Sequence, residues 1–372
     1  MRGIVLGPSG YAGEGREWLS AFEQAGLQPS LEGASFGNDD APLTRQETVL
    51  VRDCGRRIRT PGGITFHLMP VPHWTPDRTA EANVLRTMFE TYGLPPGWRT
   101  AMQQADRVIV PTEWGRQSFL AAGVPAEKLA VLPPPLDVTP FPAPEPRKRN
   151  TPMRWLSIGE WTRRKGFDVL VAAFARAFRF GDAELYLKTT PRGPSLETMQ
   201  AFCDEIVARH QRGRPPRVQV LSATLDAQKI GILYAAADAF VLASRGEGWG
   251  RPVHEAMLRG LPVVATGAGA LATLLPDASV GWPVQAKLVP VDGDAARETA
   301  WFEGMHWHEP DLDDLTTQLA TVANKREEAR ARAERAWQHV VRLCARERVM
   351  AEFAQLVAPL TPTAPAARAR AR

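Results

Sequence analysis

A proline-dense stretch over residues 133–152 divides this sequence and limits what it can fold into. Prolines stand at positions 133–135, 140, 142, 144, 146 and 152, and the basic run 147–149 interrupts them. Proline fixes φ and has no backbone N–H group, so such a stretch cannot form a helix or a central strand and behaves as a stiff connector. We therefore predict a domain boundary here, with one domain over residues 1–148 and a second over 149–341.

On both sides of this connector, short apolar runs alternate with helical patterns, which is typical of parallel α/β sheets. In the first part, strands are predicted at 3–6, 48–52, 64–69, 84–89 and 107–111, with helices at about 15–25 and 112–122. In the second part, strands are predicted at 153–158, 185–189, 218–221, 239–243 and 262–266, with helices at 166–178, 196–209, 229–236 and after Gly250. The pattern from 311 to 356 is helical. We therefore predict two Rossmann-like, doubly wound domains that face a central cleft.

The composition favours a cytoplasmic protein that needs no metal or cofactor. No apolar run reaches membrane-spanning length, and no signal peptide is visible at the start. Cys54, Cys203 and Cys344 are far apart and lack the C-x-x-C spacing of zinc sites. The net charge is only +4, and much of it lies in the tail 361–372, which is predicted to be disordered. No nucleic-acid partner is expected, whereas peripheral contact of the tail with anionic lipid is left open.

The segment 247–265 carries the most specific chemical signal. Glu247 and Glu255 lie eight positions apart, on either side of Gly248, Trp249, Gly250 and a helix start marked by Pro252. Free N–H groups at a helix start attract phosphate, whereas a carboxylate there needs a ligand with hydroxyls to donate, such as a sugar or a ribose. The pattern therefore predicts that a sugar nucleotide binds here.

This segment resembles the E-x7-E signature of retaining glycosyltransferases of family 4. The resemblance implies that Glu247 contacts the transferred sugar and Glu255 the donor ribose, with Gly248, Trp249 and Gly250 beside the donor. It also implies the GT-B fold, whose last helix crosses back to the first domain. Here that helix would lie within residues 342–360.

A second element resembles the diphosphate-binding part of the same family, G-R-x-x-x-x-K-G. Lys165 and Gly166 match it, and Lys165 is expected to neutralise the donor diphosphate without a metal. The family arginine after Gly159 is missing, because Glu160 stands there. We assign its role to Arg164 or Arg163, since a guanidinium can bind phosphate oxygens bidentately.

An N-terminal glycine loop, with Ser9, Gly10 and Tyr11, follows the first predicted strand and is expected to face the acceptor or the diphosphate. By itself it also resembles the G-x-x-G-x-x-G loop of NADP-dependent reductases, which is an alternative function. Those enzymes need a nucleophilic cysteine, and Cys54 lacks their surrounding sequence.

Further candidates come from position along the predicted strands. Glu90 stands where the family often has a histidine near the reacting sugar carbon, and His67 and His73 are alternatives to it. For the donor we expect contributions from Leu221, Thr189, Gly269, Ala270 and Leu271. They do not identify the base, so UDP-, GDP- and ADP-sugars remain open.

These observations predict a retaining, metal-independent glycosyltransferase that moves a sugar from a nucleotide donor to an acceptor hydroxyl. The acceptor is unknown. A sugar-nucleotide epimerase would need an acid-base carboxylate pair instead of this loop. A catalytically inactive sugar-nucleotide-binding protein is a further alternative, because the arginine and histidine positions are changed.

Overall fold

The computed structural model describes residues 1–35, 43–59, 62–144, 151–191, 193–211 and 213–360. The basic run 147–149, the predicted boundary after residue 148 and the tail 361–372 lie outside the described residues. The proposed boundary between the two domains therefore stays a prediction.

The first half of the chain forms a six-stranded parallel sheet. Its strands are β1 (Arg2–Ile4), β2 (Glu32–Ala34), β3 (Ile64–Leu68), β4 (Ala82–Arg86), β5 (Arg107–Val110) and β6 (Leu129–Val131). They lie in the order β2-β1-β3-β4-β5-β6. The helices of this half are α1 (Gly10–Gln24), α2 (Arg45–Arg56), α3 (Trp98–Met102) and α4 (Glu113–Ala121).

The second half repeats this arrangement. Its strands are β7 (Met153–Ile158), β8 (Ala183–Thr189), β9 (Arg217–Ser222), β10 (Ala239–Leu242), β11 (Val263–Thr266) and β12 (Trp282–Val284), in the parallel order β12-β11-β10-β7-β8-β9. Its helices are α5 (Phe167–Ala177), α6 (Leu196–His210), α7 (Ala227–Ala236), α8 (Arg251–Leu258) and α9 (Leu271–Leu274). The predicted pair of Rossmann-like domains is thus confirmed.

Residues 286–310, which we call the strap, leave the second domain and dock on the first. The strap contains the antiparallel strands β13 (Ala286–Pro290) and β14 (His306–Pro310), with helix α10 (Gly293–Glu298) between them. Phe302 is buried in the first domain, 5.7 Å from Phe89 between ring centroids. Tyr92 and His306 exchange backbone hydrogen bonds of 2.7 and 3.2 Å. The strap therefore joins the two domains independently of the proline connector.

Three helices end the described chain: α11 (Leu312–Asn324), α12 (Arg326–Cys344) and α13 (Arg346–Val357). The first two pack on the second domain, against α5 and α8. Helix α13 crosses to the first domain, where the Phe353 ring lies 5.5 Å from Trp18 and 5.3 Å from Phe22. This aromatic cluster closes the core beneath β3 and β4.

One predicted strand is wrong and several elements were not predicted. Residues 48–52 belong to helix α2, which begins with a capping box between Thr44 and Glu47. The apolar run 49–51 resembles a strand, but the helix lies on the surface and buries only Cys54. The three-residue strands β2, β6 and β12 and the short elements of the strap were missed because such short segments carry little periodicity.

Candidate functional site

A cleft of about 1170 Å³ separates the two domains, and the carboxyl ends of both parallel sheets open into it. In α/β sheets, ligands bind outside the carboxyl ends of the strands. The cleft is lined from the first domain by the glycine loop and Glu90, and from the second by Lys165, Thr189 and Glu247. The structure thus brings together most of the predicted site residues.

Two glycines of the segment 246–250 allow the second domain to approach the first very closely. A Cβ atom added to Gly246 would collide with the backbone carbonyl oxygen of Glu90. A Cβ atom added to Gly248 would lie 2.6 Å from the side chain of Met88. Gly248, predicted as a donor-facing residue, therefore also has a packing role between the domains.

The same loop holds a buried carboxylate against two cations. Glu247 is 7% exposed, and its Oε1 lies 2.5 Å from Nζ of Lys165. A guanidinium nitrogen of Arg164 lies 3.7 Å from Oε2 of Glu247 and 2.7 Å from the carbonyl oxygen of Gly246, to which it donates. A ligand in the cleft can therefore meet two cations and one carboxylate within a few ångströms.

The carboxyl groups of Glu247 and the nearby Glu90 have pKa values shifted in opposite directions. Burial alone would raise the pKa of Glu247, but Lys165 and Arg164 more than offset burial, so its pKa lies below the ordinary value. Glu90 lies nearby on the first domain, and burial raises its pKa, with Glu247 adding to the effect and Arg164 opposing it. Glu247 is therefore held ionised, whereas Glu90 keeps its proton to a higher pH.

Of the two candidate arginines, only Arg164 lines the cleft. Arg163 points elsewhere and forms a bidentate ion pair with Asp292 of the strap, with distances of 2.8 to 3.1 Å. Its own backbone N–H group donates to Glu298. The geometry therefore favours Arg164 over Arg163 as the partner of Lys165.

Glu255 lies on α8 and also lines the cleft, where Arg251 links it to the first domain. The Arg251 guanidinium lies 2.8 Å from Glu17 of α1 and 3.2 Å from Glu255. Cβ atoms added to Gly10 and Gly13 would lie 3.3 and 2.8 Å from the Arg251 side chain. The predicted glycine loop therefore leaves room for an arginine of the opposite domain.

The other residues of the glycine loop and of the segment 247–265 have structural partners. Ser9 caps α1 by accepting a hydrogen bond from Ala12 N–H, and Tyr11 donates its hydroxyl to the Met88 carbonyl at 3.0 Å. Trp249 is buried and donates its indole N–H to Nδ1 of His254 at 2.5 Å. These contacts hold both cleft loops in place.

The two candidate histidines lie in different surroundings. His67 is fully buried beside Asn83 at 2.9 Å, away from the cleft-lining residues, and burial lowers its pKa to about 4. His73 is exposed, lines the cleft and lies 6.1 Å from Trp301 of the strap between ring centroids. Glu90 and His73 are thus the candidates that reach the cleft.

Of the remaining residues predicted to bind the donor, some line the cleft and others do not. Thr189 lines the cleft, and its buried hydroxyl has no hydrogen-bond partner among the described residues. Leu221 does not appear among the described cleft-lining residues. Ala270 and Leu271 are buried in the second domain, and Gly269 packs against His308 and Trp114. The loop after β11 therefore supports the core instead of lining the cleft.

The cleft-lining residues that the sequence analysis did not predict include Lys188, Arg251 and Trp301. Lys188 did carry a signal, because it is a charge that directly follows the apolar run 185–187 of β8. Arg251 and Trp301 reach the cleft only through the contact between the domains, which sequence spacing does not show.

Within the described ranges, no group of three His, Cys, Asp or Glu side chains could hold a metal ion. No helix among the same residues has both the length and the apolar character needed to cross a membrane. Cys54, which a reductase would need as a nucleophile, is buried on α2, and burial raises its pKa.

Residues 153–298 match the family described as "Glycosyl transferases group 1". Over 247 residues the chain is 26% identical to a GDP-mannose-dependent α-(1-6)-phosphatidylinositol monomannoside mannosyltransferase of Mycobacterium tuberculosis. This match covers 59% of the chain and 62% of that protein, so the chain spans less than two thirds of its relative.

Solved structures are similar over nearly the whole chain. The HepE protein of Anabaena, crystallised with UDP and glucose, has a TM-score of 0.63 at 14% identity, covering 96% of this chain and 98% of that one. A glycosyltransferase of Rickettsia africae has a TM-score of 0.61 at 15% identity, with 97% of each chain covered. The GT-B fold and the resemblance to family 4-like group 1 glycosyltransferases are thus confirmed.

Proposed function

We propose that this protein is a retaining, metal-independent glycosyltransferase, which moves a sugar from a nucleotide-sugar donor in the cleft to an acceptor hydroxyl. The observation that carries the proposal is the contact of Glu247 with Lys165 and Arg164 on the cleft wall. In a nucleotide sugar, the transferred sugar is bonded directly to the diphosphate. Neighbouring cations and a carboxylate can therefore contact the two sides of the bond that breaks.

In this proposal Lys165 and Arg164 stabilise the charge that grows on the leaving diphosphate. Glu247 is held ionised and accepts hydrogen bonds from sugar hydroxyls. Glu255 accepts from the donor ribose, and Glu90 contacts the sugar from the first domain. Ser9, Gly10 and Tyr11 form the wall on the acceptor side, and the exposed His73 lines the same cleft.

The proposal that the sugar carbon retains its configuration rests on the resemblance of the segment 247–265 to family 4. The bond between the sugar carbon and the diphosphate oxygen breaks, and a bond to the acceptor oxygen forms on the same face. The acceptor proton passes to the departing diphosphate, so the step requires no separate base. Two fixed cations at the diphosphate supply the charge that a metal supplies in other enzymes.

Replacing Lys165 tests this proposal. Lys165→Ala should lower turnover about a hundredfold, the usual scale for one lost electrostatic contact, while EDTA leaves wild-type turnover unchanged. Arg164→Ala should lower turnover similarly. Arg163→Ala is the matched control, since that side chain is paired with Asp292, and it should leave turnover within about threefold. A strict need for Mg²⁺ or Mn²⁺, or equal losses for both arginines, would contradict the proposal.

A catalytically inactive nucleotide-sugar-binding protein is the second candidate, because Glu160 lines the cleft 3.9 Å from Arg164. A second carboxylate there weakens the positive field around the diphosphate. Donor hydrolysis and transfer assays distinguish the two candidates. Binding of a nucleotide sugar without hydrolysis or transfer, over a panel of acceptors, would favour the inactive protein.

A further inference from the structure

A lysine at the end of β8 is buried without an ion-pair partner. Lys188 is 3% exposed, and its Nζ donates one hydrogen bond, at 2.6 Å, to the carbonyl oxygen of Thr189. No described carboxylate forms an ion pair with it. A lysine ammonium has three N–H donors, and lysine is almost never buried unless it is paired. Because Lys188 lines the cleft, a ligand is the natural acceptor for its remaining donors.

The position of Lys188 along the sheet indicates which part of a donor it meets. The loop after β10 carries Glu247, the turn after β7 carries Lys165, and Lys188 is the second-last residue of β8, the strand beside β7. If the sugar lies at Glu247 and the diphosphate at Lys165, the nucleoside extends toward β8 and β9. Lys188 is thus placed at the end of the donor opposite to the sugar.

The surroundings of Lys188 suit a nucleobase better than a phosphate. Ile158 pairs with Lys188 in register across β7 and β8, and it lines the cleft together with Leu225 and Ile230. These three apolar side chains can cover the faces of a planar base. Burial lowers the pKa of Lys188 to about 8, so the ammonium remains mostly protonated at neutral pH.

We infer that Lys188 donates to the oxo edge of the donor base, so that the donor is a uridine or guanosine diphosphate sugar. An ammonium can only donate. Uracil and guanine present carbonyl oxygens, whereas adenine and cytosine carry an exocyclic amine, itself a donor, at the equivalent position. This inference rests on the proposed function, and it narrows the three donor classes left open by the sequence to two.

Titration calorimetry on the full chain tests the inference with UDP, GDP, ADP, CDP and inorganic pyrophosphate. Wild type should bind UDP or GDP at least about tenfold more tightly than ADP and CDP, the scale of one well-placed contact to a base. In Lys188→Met this preference should fall to within about threefold, with pyrophosphate binding unchanged. Lys229→Met is the matched control: it removes an exposed lysine on nearby α7 and should behave as wild type.

A second measurement uses the unaltered protein and so does not depend on how a variant folds. The comparison is between two diphosphates that differ in one carbonyl oxygen of the base: inosine diphosphate against purine-riboside diphosphate if GDP is preferred, and UDP against 2-pyrimidinone-riboside diphosphate if UDP is preferred. The analogue without the oxygen should bind about tenfold more weakly. Equal binding of the two would overturn the inference.

Other outcomes separate this inference from the proposed function. If wild type binds ADP or CDP as tightly as UDP and GDP, the inference is wrong and the proposed function stands. The inference is also wrong if Lys188→Met weakens pyrophosphate as much as UDP or GDP, since Lys188 then binds the diphosphate. If no nucleoside diphosphate binds, the proposed function fails, and the inference fails with it.

Discussion

Glu247 and Glu255 are both carboxylates on the cleft wall, yet their partners assign them different tasks. Glu247→Gln removes the charge beside Lys165, so transfer should fall at least about a hundredfold while affinity for the free nucleoside diphosphate stays the same or rises. Glu255→Gln should weaken the nucleoside diphosphate itself by roughly tenfold, the scale of one charge-assisted hydrogen bond. Calorimetry and turnover assays measure both effects.

Glu334→Gln is the control for these two variants, because it makes the same change on an exposed part of α12. This variant should change neither sugar transfer nor affinity for the nucleoside diphosphate. Equal loss of nucleotide affinity in Glu247→Gln and Glu255→Gln would show that the two carboxylates do not have separate roles.

Glu90 should make the stability of the protein depend on pH in a direction opposite to most carboxylates. Its pKa is raised by burial and by Glu247 and Glu160, against Arg164 and Lys165. The folded state therefore holds this proton more tightly than the unfolded state, and the associated stability is lost as pH rises above about 4, the ordinary range for glutamate. The amide of Glu90→Gln stays neutral at every pH. The stability of this variant relative to wild type should therefore increase from about pH 4 to pH 7.

Denaturant unfolding of wild type and Glu90→Gln across this pH range provides the measurement. Glu247→Gln should differ from wild type in the opposite sense and at lower pH, because the pKa of the native carboxylate is lowered and its stabilising contribution is lost only as pH falls below about 4, the ordinary range for glutamate. A difference between wild type and Glu90→Gln that does not change with pH would contradict the assignment.

At the scale of elements, the segment 246–250 determines how closely the two domains approach. Gly246→Ala places a methyl group against the Glu90 carbonyl, so it should destabilise the fold by about 1–3 kcal/mol and reduce turnover. Gly231→Ala is the matched control, since Gly231 lies inside α7 with nothing within 4 Å of an added Cβ. It should stabilise the fold by about 0.5–1 kcal/mol.

Unfolding midpoints and turnover of the two variants provide the comparison. Gly246→Ala with wild-type stability and turnover would show that the loop and the first domain do not need this close approach.

A helix or strand could be predicted from the sequence where the residues that mark it lie within the element itself. Helix α8 was predicted because Gly250 and Pro252 mark its start and Gly260 its end, all within the segment itself. Helix α2 resembles a strand in sequence because the apolar run 49–51 is a stronger local signal than the capping residues Thr44 and Glu47 that precede it. The strap was missed because its stabilising contacts, such as that of Phe302 with Phe89, are with the other domain.

The same limit applies to the candidate site. Glu247 and Lys165 could be found because each lies in a contiguous motif. The choice between Arg163 and Arg164 could not be made, because it depends on Asp292, more than a hundred residues away. Lys188 could have been found from its charge directly after the apolar run 185–187.

At the scale of the whole molecule, the domains are joined by the strap and by α13 as well as by the connector. Arg245 fixes the strap to the second domain through Asp168 and Glu309, at 2.8 and 2.5 Å, while Phe302 is buried in the first. We therefore expect both domains to unfold in one cooperative transition. Hydrogen exchange should give the same free energy of opening for β4 and β10.

Phe353→Ala should lower the free energy of unfolding of both domains together by about 3–5 kcal/mol, since it removes a buried ring. The half-exposed Phe180 offers the control, and its replacement by alanine should cost far less. Two separate transitions in wild type, or an effect of Phe353→Ala confined to β4, would show that the domains are independent.

The crossing of α13 also has a consequence for synthesis on the ribosome. The first sheet is complete in sequence at Val131, but the ring that covers Trp18, Phe22 and Phe66 arrives only with Phe353. At about 5–20 residues per second, translation of the intervening chain takes roughly ten to forty-five seconds. Throughout that time the nascent first domain exposes an aromatic surface that chaperones recognise, and its folding finishes only after the second domain has been made.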